Sequence, residues 1–140
     1  MKAIRPAKII VSGKQTHAES VVRMLTETGF RVQLARTGTE ILALAAKNAD
    51  AVILDVTLPD VNGFEVCRRL KANANTAQIP VVFVSSLYSI AEAANIASRL
   101  GAAAFLTKPV ESRDLINVIN LAICKEDLHA QRVRLAAQSA

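Results

Sequence analysis

The hydrophobic positions of this chain alternate between short apolar runs and longer stripes with helical spacing. Short runs rich in β-branched residues predict strands, and apolar residues three or four positions apart predict amphipathic helices. The predicted strands are Lys8–Ser12, Arg31–Ala35, Ala51–Asp55, Ile79–Ser85 and Ala103–Leu106. A helical stripe follows each strand, and the last one carries Leu115, Val118, Ile119 and Ala122. This order predicts an α/β chain.

Helix boundaries carry their own signals. A Ser or Thr followed three residues later by Glu is a capping box, which marks a helix start. The pairs are Thr16 with Glu19, Thr37 with Glu40, and Ser89 with Glu92. With short connections and a nearly all-apolar third strand, we expect a (βα)5 flavodoxin-like three-layer sandwich around a five-stranded parallel sheet. Chemistry in such a fold lies at the carboxyl ends of the strands.

Composition narrows the class of protein. At 140 residues, one domain is the natural expectation. Apolar runs are shorter than the roughly 20 residues of a membrane helix, and the N-terminal run is too short for a secretory signal. Cys67 and Cys124 lack metal-ligand spacing, so we expect buried, reduced thiols in a cytoplasmic protein. The net charge of +5 comes from scattered residues, and with one Tyr and no Trp we expect no direct nucleic-acid binding.

Polar residues collect where the predicted strands end. Each has an ordinary structural role when taken alone, since Asp favours turns, Ser caps helices and Lys is usually solvated. Because the carboxyl ends of parallel strands meet at one edge, the combination favours a functional site. The residues are Ser12, Gly13 and Lys14 after the first strand, Asp55 at the third, Ser85 and Ser86 at the fourth, and Thr107 and Lys108 at the fifth.

Three segments resemble the receiver domain of two-component response regulators. They are DVTLPDVNGFEVCRRLK from Asp55, IPVVFVSS from Ile79 and GAAAFLTKP from Gly101. The resemblance extends from about Lys8 to Ile123. It implies a receiver domain over residues 1–124 with strand order 2-1-3-4-5, followed by a C-terminal helical extension or tail over residues 125–140.

The resemblance also implies a role for each site residue. Asp55 matches the phosphoacceptor, and Ser85 and Lys108 match the groups that bind phosphoryl oxygens. Phe105 matches the aromatic switch. Thr57, through its backbone carbonyl, matches a ligand that holds Mg²⁺ together with Asp55, and the bond before Pro109 is expected to be cis.

The implied function is phosphorelay signalling rather than enzyme catalysis. The resemblance implies a histidine kinase or a phosphotransfer protein as the partner, and signalling through the face made by helix four, strand five and helix five. On that face this chain has Ala102, Ala103 and Ala104, where many members of the family have acidic residues before the aromatic. An apolar face of this kind favours a protein partner or a homodimer, and we expect no membrane binding.

One part of the family pattern is missing. Receiver domains place two acidic residues after the first strand to hold Mg²⁺, whereas this chain has Ser12 and Gly13 there. Mg²⁺ requires hard oxygen ligands, usually carboxylates, so we expect weak or absent metal binding. Lys14 is a candidate substitute that would flank Asp55. Two functions therefore stay open: a phosphorylatable receiver, and a pseudo-receiver acting as a phosphorylation-independent binding or dimerisation module.

Overall fold

The computed structural model describes residues 6–13, 15–86 and 89–124. The strands are β1 Lys8–Ser12, β2 Arg31–Ala35, β3 Ala51–Asp55, β4 Val81–Ser85 and β5 Ala104–Thr107. The helices are α1 Gln15–Thr28, α2 Gly38–Lys47, α3 Gly63–Ala72 and α4 Ile90–Leu100, and α5 covers residues 112–124. The predicted alternation of strands and helices is confirmed. Lys14 and residues 125–140 lie outside the described residues, so the predictions made for them stay predictions.

The five strands form one parallel sheet in the order β2-β1-β3-β4-β5. This is the flavodoxin-like fold predicted from the sequence. The strand order reverses between β1 and β3, which creates a crevice at the carboxyl ends of these two strands. The fold therefore places the end of β3, and with it Asp55, at the point where ligands bind in open α/β sheets.

The core has two layers, one on each face of the sheet. Helices α2, α3 and α4 cover one face, with Ile41, Leu70 and Phe83 among the buried side chains. Helices α1 and α5 cover the other face, where Leu25 and Ile119 are fully buried. A sheet covered on both faces needs continuous apolar strands, and this explains why β3 is apolar until its last residue.

Two of the three predicted capping signals are confirmed. The Glu40 amide donates to Thr37 Oγ1 at 3.1 Å, and the Glu92 amide donates to Ser89 Oγ at 3.2 Å. The prediction for Thr16 is wrong, because α1 begins at Gln15 and Thr16 lies inside it. The chain leaves β1 through Gly13, which has a φ of 134°, and the helix follows two residues later.

Strand four and one cysteine also differ from the predictions. Strand β4 begins at Val81 rather than Ile79, since Pro80 has no amide proton to donate to the sheet. Cys67 is buried as expected, but Cys124 is exposed. Successive helical residues are rotated by about 100°, so a residue two positions after the buried Ala122 faces away from the sheet.

Candidate functional site

The candidate site lies at the edge formed by the carboxyl ends of β1, β3, β4 and β5. Asp55 is the last residue of β3 and lies opposite Val84 of β4. Ser85 follows Val84 and lies opposite Thr107 of β5. Lys108 comes next along the chain. The sheet register therefore brings the candidate residues of three strands to the same edge, as the sequence predicted.

Both oxygens of the Asp55 carboxylate accept hydrogen bonds. Oδ2 lies 3.3 Å from Lys108 Nζ, and Oδ1 accepts a bond from the Thr57 amide at 3.0 Å. The side chains are 16% exposed for Asp55 and 27% for Lys108. A charge-assisted hydrogen bond in such a half-shielded setting is stronger than one between neutral groups. The carboxylate is thus oriented and charge-balanced, yet still reachable from solvent.

A backbone hydrogen bond to β4 helps to position Lys108. The Lys108 amide donates to the Ser85 carbonyl at 3.0 Å, which fastens the chain after β5 to the end of β4. The Lys108–Pro109 peptide bond is cis. Ser85 itself is only 2% exposed. The ends of β4 and β5 are thus joined beside Asp55.

Ser12 makes a contact that sequence reasoning missed. Its hydroxyl accepts a hydrogen bond from the Asp55 amide at 2.9 Å and donates one to the Ile53 carbonyl at 3.1 Å. The side chain is 5% exposed. The sequence placed Ser12 at this edge and marked it as a missing carboxylate, but it predicted no partner for the hydroxyl, although a hydroxyl at the end of an otherwise apolar buried strand needs one.

Gly13 passes close beside Asp55. Its amide donates to the Ala35 carbonyl of β2 at 3.3 Å, and a Cβ placed on it would lie 3.7 Å from Asp55 Oδ2. Its φ of 134° falls in the region that side-chain-bearing residues rarely adopt. A carboxylate at this position would therefore cost backbone strain.

The described residues at the end of β1 supply no carboxylate beside Asp55. Mg²⁺ prefers an octahedron of oxygens in which one or more carboxylates take part. Within the described ranges, no group of three or more His, Cys, Asp or Glu side chains could hold a metal ion. The end of β1 offers a buried neutral hydroxyl and a glycine, so Asp55 has no carboxylate partner from that strand.

A second carboxylate, Asp60, acts at the start of α2. It accepts hydrogen bonds from the Gly38 amide at 2.8 Å, the Thr39 amide at 3.1 Å and Thr39 Oγ1 at 2.9 Å. The Gly38 hydrogen bond is the largest cause that lowers the pKa of Asp60 to about 2. Sequence reasoning missed this contact too, because it joins residues about twenty positions apart.

Three aromatic rings connect β5 to the core. Phe105 stacks on Phe83 with 5.6 Å between ring centroids, and Phe83 meets Phe64 edge to face at 5.3 Å. Such ring pairs contribute about 0.5–1.5 kcal/mol beyond their burial. The Phe105 ring, half-buried, is thereby linked through β4 to α3.

Residues 9–120 match the protein family described as "Response regulator receiver domain". Protein PilH of Pseudomonas aeruginosa is 34% identical over 113 residues, which cover 80% of this chain and 93% of PilH. The probable transcriptional regulator ycf29 of Pyropia yezoensis is 30% identical over 123 residues, 87% of this chain. The chain spans only 55% of the length of that second relative.

A solved structure agrees with these sequence matches. The response regulator receiver domain protein from Clostridium thermocellum superposes with a TM-score of 0.78 at 30% identity, covering 87% of this chain and 98% of its own. In the described part of the chain, no helix is both long enough and apolar enough to cross a membrane. Fold and sequence thus point to the same family.

Proposed function

The chain belongs to the response regulator receiver domains, a non-catalytic family of two-component signal transduction whose members partner with histidine kinases, and on that premise we propose that Asp55 is its phosphoacceptor. The observation that carries this proposal is the 3.3 Å contact between Asp55 Oδ2 and Lys108 Nζ. The lysine lies where the charge of an attached phosphoryl group would develop. The donor would be a histidine kinase or a phosphotransfer protein.

The reaction is a transfer between two nucleophiles. A carboxylate oxygen of Asp55 attacks phosphorus while the phosphorus–nitrogen bond of a phosphohistidine breaks. The bonding pair goes to the imidazole nitrogen, which then takes up a proton, and the product is an acyl phosphate on Asp55. Transfer of this kind depends mainly on positioning and charge neutralisation, and Lys108 supplies both.

Ser85 and Phe105 would convert phosphorylation into a signal. We assign the Ser85 hydroxyl to a phosphoryl oxygen and Phe105 to the switch on β5. The proposal is supported by the bond from the Lys108 amide to the Ser85 carbonyl and by the stacking of Phe105 on Phe83. Movement at this edge would then alter the face formed by α4, β5 and α5, where a protein partner or a second copy would bind.

Receiver domains bind Mg²⁺, and we infer that this chain binds it weakly or not at all. The inference is supported by the buried hydroxyl of Ser12 and by the φ of Gly13, which would strain a residue that carried a carboxylate. A metal supplies several kcal/mol in phosphoryl transfer, so its loss would slow transfer by roughly a hundredfold to many thousandfold. Lys14 remains our candidate for supplying part of the positive charge that Mg²⁺ would contribute. We place the protein in the cytoplasm, with the receiver domain over residues 1–124 and a C-terminal helical extension or tail over residues 125–140.

A small-molecule phosphodonor tests the role of Asp55. Acetyl phosphate is incubated with the protein, with and without Mg²⁺, and intact mass is measured. We expect an added phosphoryl mass that Asp55→Ala abolishes and the control variant Asp114→Ala, on the outer side of α5, retains. Labelling that survives in Asp55→Ala would refute the assignment.

The second candidate function is a pseudo-receiver that binds proteins or dimerises without phosphorylation. It is favoured by the hydroxyl and glycine at the end of β1. If it holds, acetyl phosphate leaves the mass unchanged under both conditions, and the oligomeric state measured by light scattering is the same with and without the donor. Rapid Mg²⁺-dependent labelling would exclude it.

A further inference from the structure

We propose that Ser12 is the positioning residue of Asp55, and that through it the site takes a phosphoryl-shaped anion without a divalent cation. The inference deepens the proposed phosphoacceptor function and rests on it. Through two hydrogen bonds, Ser12 would hold the ends of β1 and β3 in a fixed relation, so that this positioning would need no metal ion.

The sheet register gives the first argument. Backbone pairing between β1 and β3 runs from Ile9 opposite Ala51 to Val11 opposite Ile53. Beyond that pair, the Ser12 hydroxyl continues the ladder by accepting from the Asp55 amide and donating to the Ile53 carbonyl. Asp55 thus remains tied to β1 at the residue where the strands would otherwise part.

The second argument concerns the side chain of Asp55. Its amide is held by Ser12, its Oδ1 by the Thr57 amide and its Oδ2 by Lys108. The bond to the backbone amide fixes the main chain of Asp55. The two bonds to the carboxylate oxygens leave its side chain little freedom to rotate. Preorganisation of this kind lowers the entropic cost of reaching a reactive geometry.

The third argument explains why a cation is not part of the arrangement. Ser12 is neutral, 5% exposed, and its hydroxyl donates its hydrogen bond to the Ile53 carbonyl. Gly13 has a φ that disfavours any side chain. Of these two positions, only residue 12 could carry a carboxylate without backbone strain, so one substitution there should decide whether the site depends on a metal.

Amide hydrogen exchange tests the positioning without any phosphoryl chemistry. Exchange at the Asp55 amide is measured by NMR in the wild type, Ser12→Ala, Ser12→Thr and the control Ser98→Ala, an exposed position on α4. We expect exchange to accelerate by about tenfold in Ser12→Ala, the effect of losing one hydrogen bond. Ser12→Thr, which keeps the hydroxyl, and Ser98→Ala should exchange like the wild type. Equal exchange in all four proteins would overturn the proposal.

Beryllium fluoride, a mimic of the phosphoryl group, tests the consequence for anion binding. Its binding is followed by ¹⁹F NMR in EDTA and in MgCl₂. We expect wild-type affinities within about twofold of each other in the two buffers, about tenfold weaker binding to Ser12→Ala, and recovery in Ser12→Thr. Ser12→Asp should bind the mimic only with Mg²⁺. A wild type that needs Mg²⁺, or a Ser12→Ala variant with wild-type affinity, would overturn the proposal.

The two experiments separate this inference from the function on which it rests. If the mimic binds equally well to the wild type and Ser12→Ala, the role of Ser12 fails while that of Asp55 stands. If the wild type binds no mimic in either buffer, the phosphoacceptor function fails and so does metal-independent anion binding. In that case, hydrogen exchange alone tests whether Ser12 positions Asp55.

Discussion

The carboxylate of Asp60 accepts a hydrogen bond from the Gly38 amide at 2.8 Å, and this contact fastens the loop after β3 to the first turn of α2. The close approach needs a glycine, since a Cβ at residue 38 would collide with methyl groups of Val61 and Val66. A negative charge at a helix N-terminus also interacts favourably with the helix dipole. Asp60 therefore holds α2 beside the loop that follows Asp55.

Replacing Asp60 by Asn should lower stability in a pH-dependent way. The pKa of Asp60 is lowered from 3.8 to about 2, mainly by the Gly38 amide, so folding favours the charged form. The stabilisation is fully present above about pH 4 and is lost as the pH falls towards 2. Thermal unfolding between pH 2 and 7 should show Asp60→Asn less stable than the wild type at neutral pH, with the gap closing near pH 2. Glu27→Gln, an exposed change on α1, is the control, and a gap that is constant with pH would contradict this linkage.

Replacing Gly63 by Ala should displace Asp55, because residue 63 packs against the backbone of Asp55. A Cβ at residue 63 would run into the Asp55 carbonyl oxygen and lie 3.0 Å from Val56 Cα, and neither backbone atom can move aside cheaply. Overpacking of this kind costs about 1–3 kcal/mol. Urea unfolding should show the loss, and NMR should show shifted resonances at Asp55.

Gly101→Ala is the matched control for that experiment. Gly101 has a φ of 74° but an added Cβ would meet no atom within 4 Å. Its cost, about 1–2 kcal/mol, is backbone strain alone. Asp55 resonances should stay in place, and equal disturbance by both variants would show that the contact at Gly63 is unimportant for the site.

Replacing Lys108 by Ala should weaken phosphoryl binding at Asp55. A hydrogen bond to a charged group contributes about 1.5–3 kcal/mol, so we expect beryllium fluoride to bind roughly ten- to a hundredfold less tightly. Lys47→Ala, at the exposed end of α2, provides the same chemical change away from the site. Unchanged affinity in Lys108→Ala would remove the lysine from the proposed mechanism.

The two thiols should react at very different rates. Cys124 is exposed, whereas burial raises the pKa of Cys67 to about 11 and removes it from solvent. Because the thiolate is the reactive form, a disulfide reagent at pH 8 should modify one thiol per native chain and two in denaturant. Cys124→Ser should abolish the fast phase. Two fast thiols in the native protein would contradict the packing around α3.

Local signals in the sequence were enough to predict most of the fold. The apolar runs gave the strands, and the capping boxes at Thr37 and Ser89 are formed as expected because their partners lie three residues away. The prediction that Thr16 caps α1 was wrong, since the chain turns at Gly13 and enters α1 earlier than the capping pattern indicates. The prediction that Cys124 is buried was wrong, because the rotation of α5 depends on how this helix packs against the sheet.

The proximity of the candidate site residues could be predicted from the sequence, but their contacts could not. Parallel strands must bring Asp55, Ser85 and Lys108 to one edge, so their proximity followed from topology. The hydrogen bonds of Ser12 and Asp60 join residues 43 and 22 positions apart, and no local pattern encodes them. They depend on side-chain direction at the end of a buried strand and on a glycine that admits a close approach.

The packed rings of Phe105, Phe83 and Phe64 provide a place for a fluorescent probe in this protein. The chain contains no tryptophan. An indole introduced as Phe105→Trp would therefore be the sole fluorophore of its kind, seated against Phe83. Its emission would report directly on whether β5 keeps its packing when an anion reaches Asp55, which would let the protein serve as its own sensor.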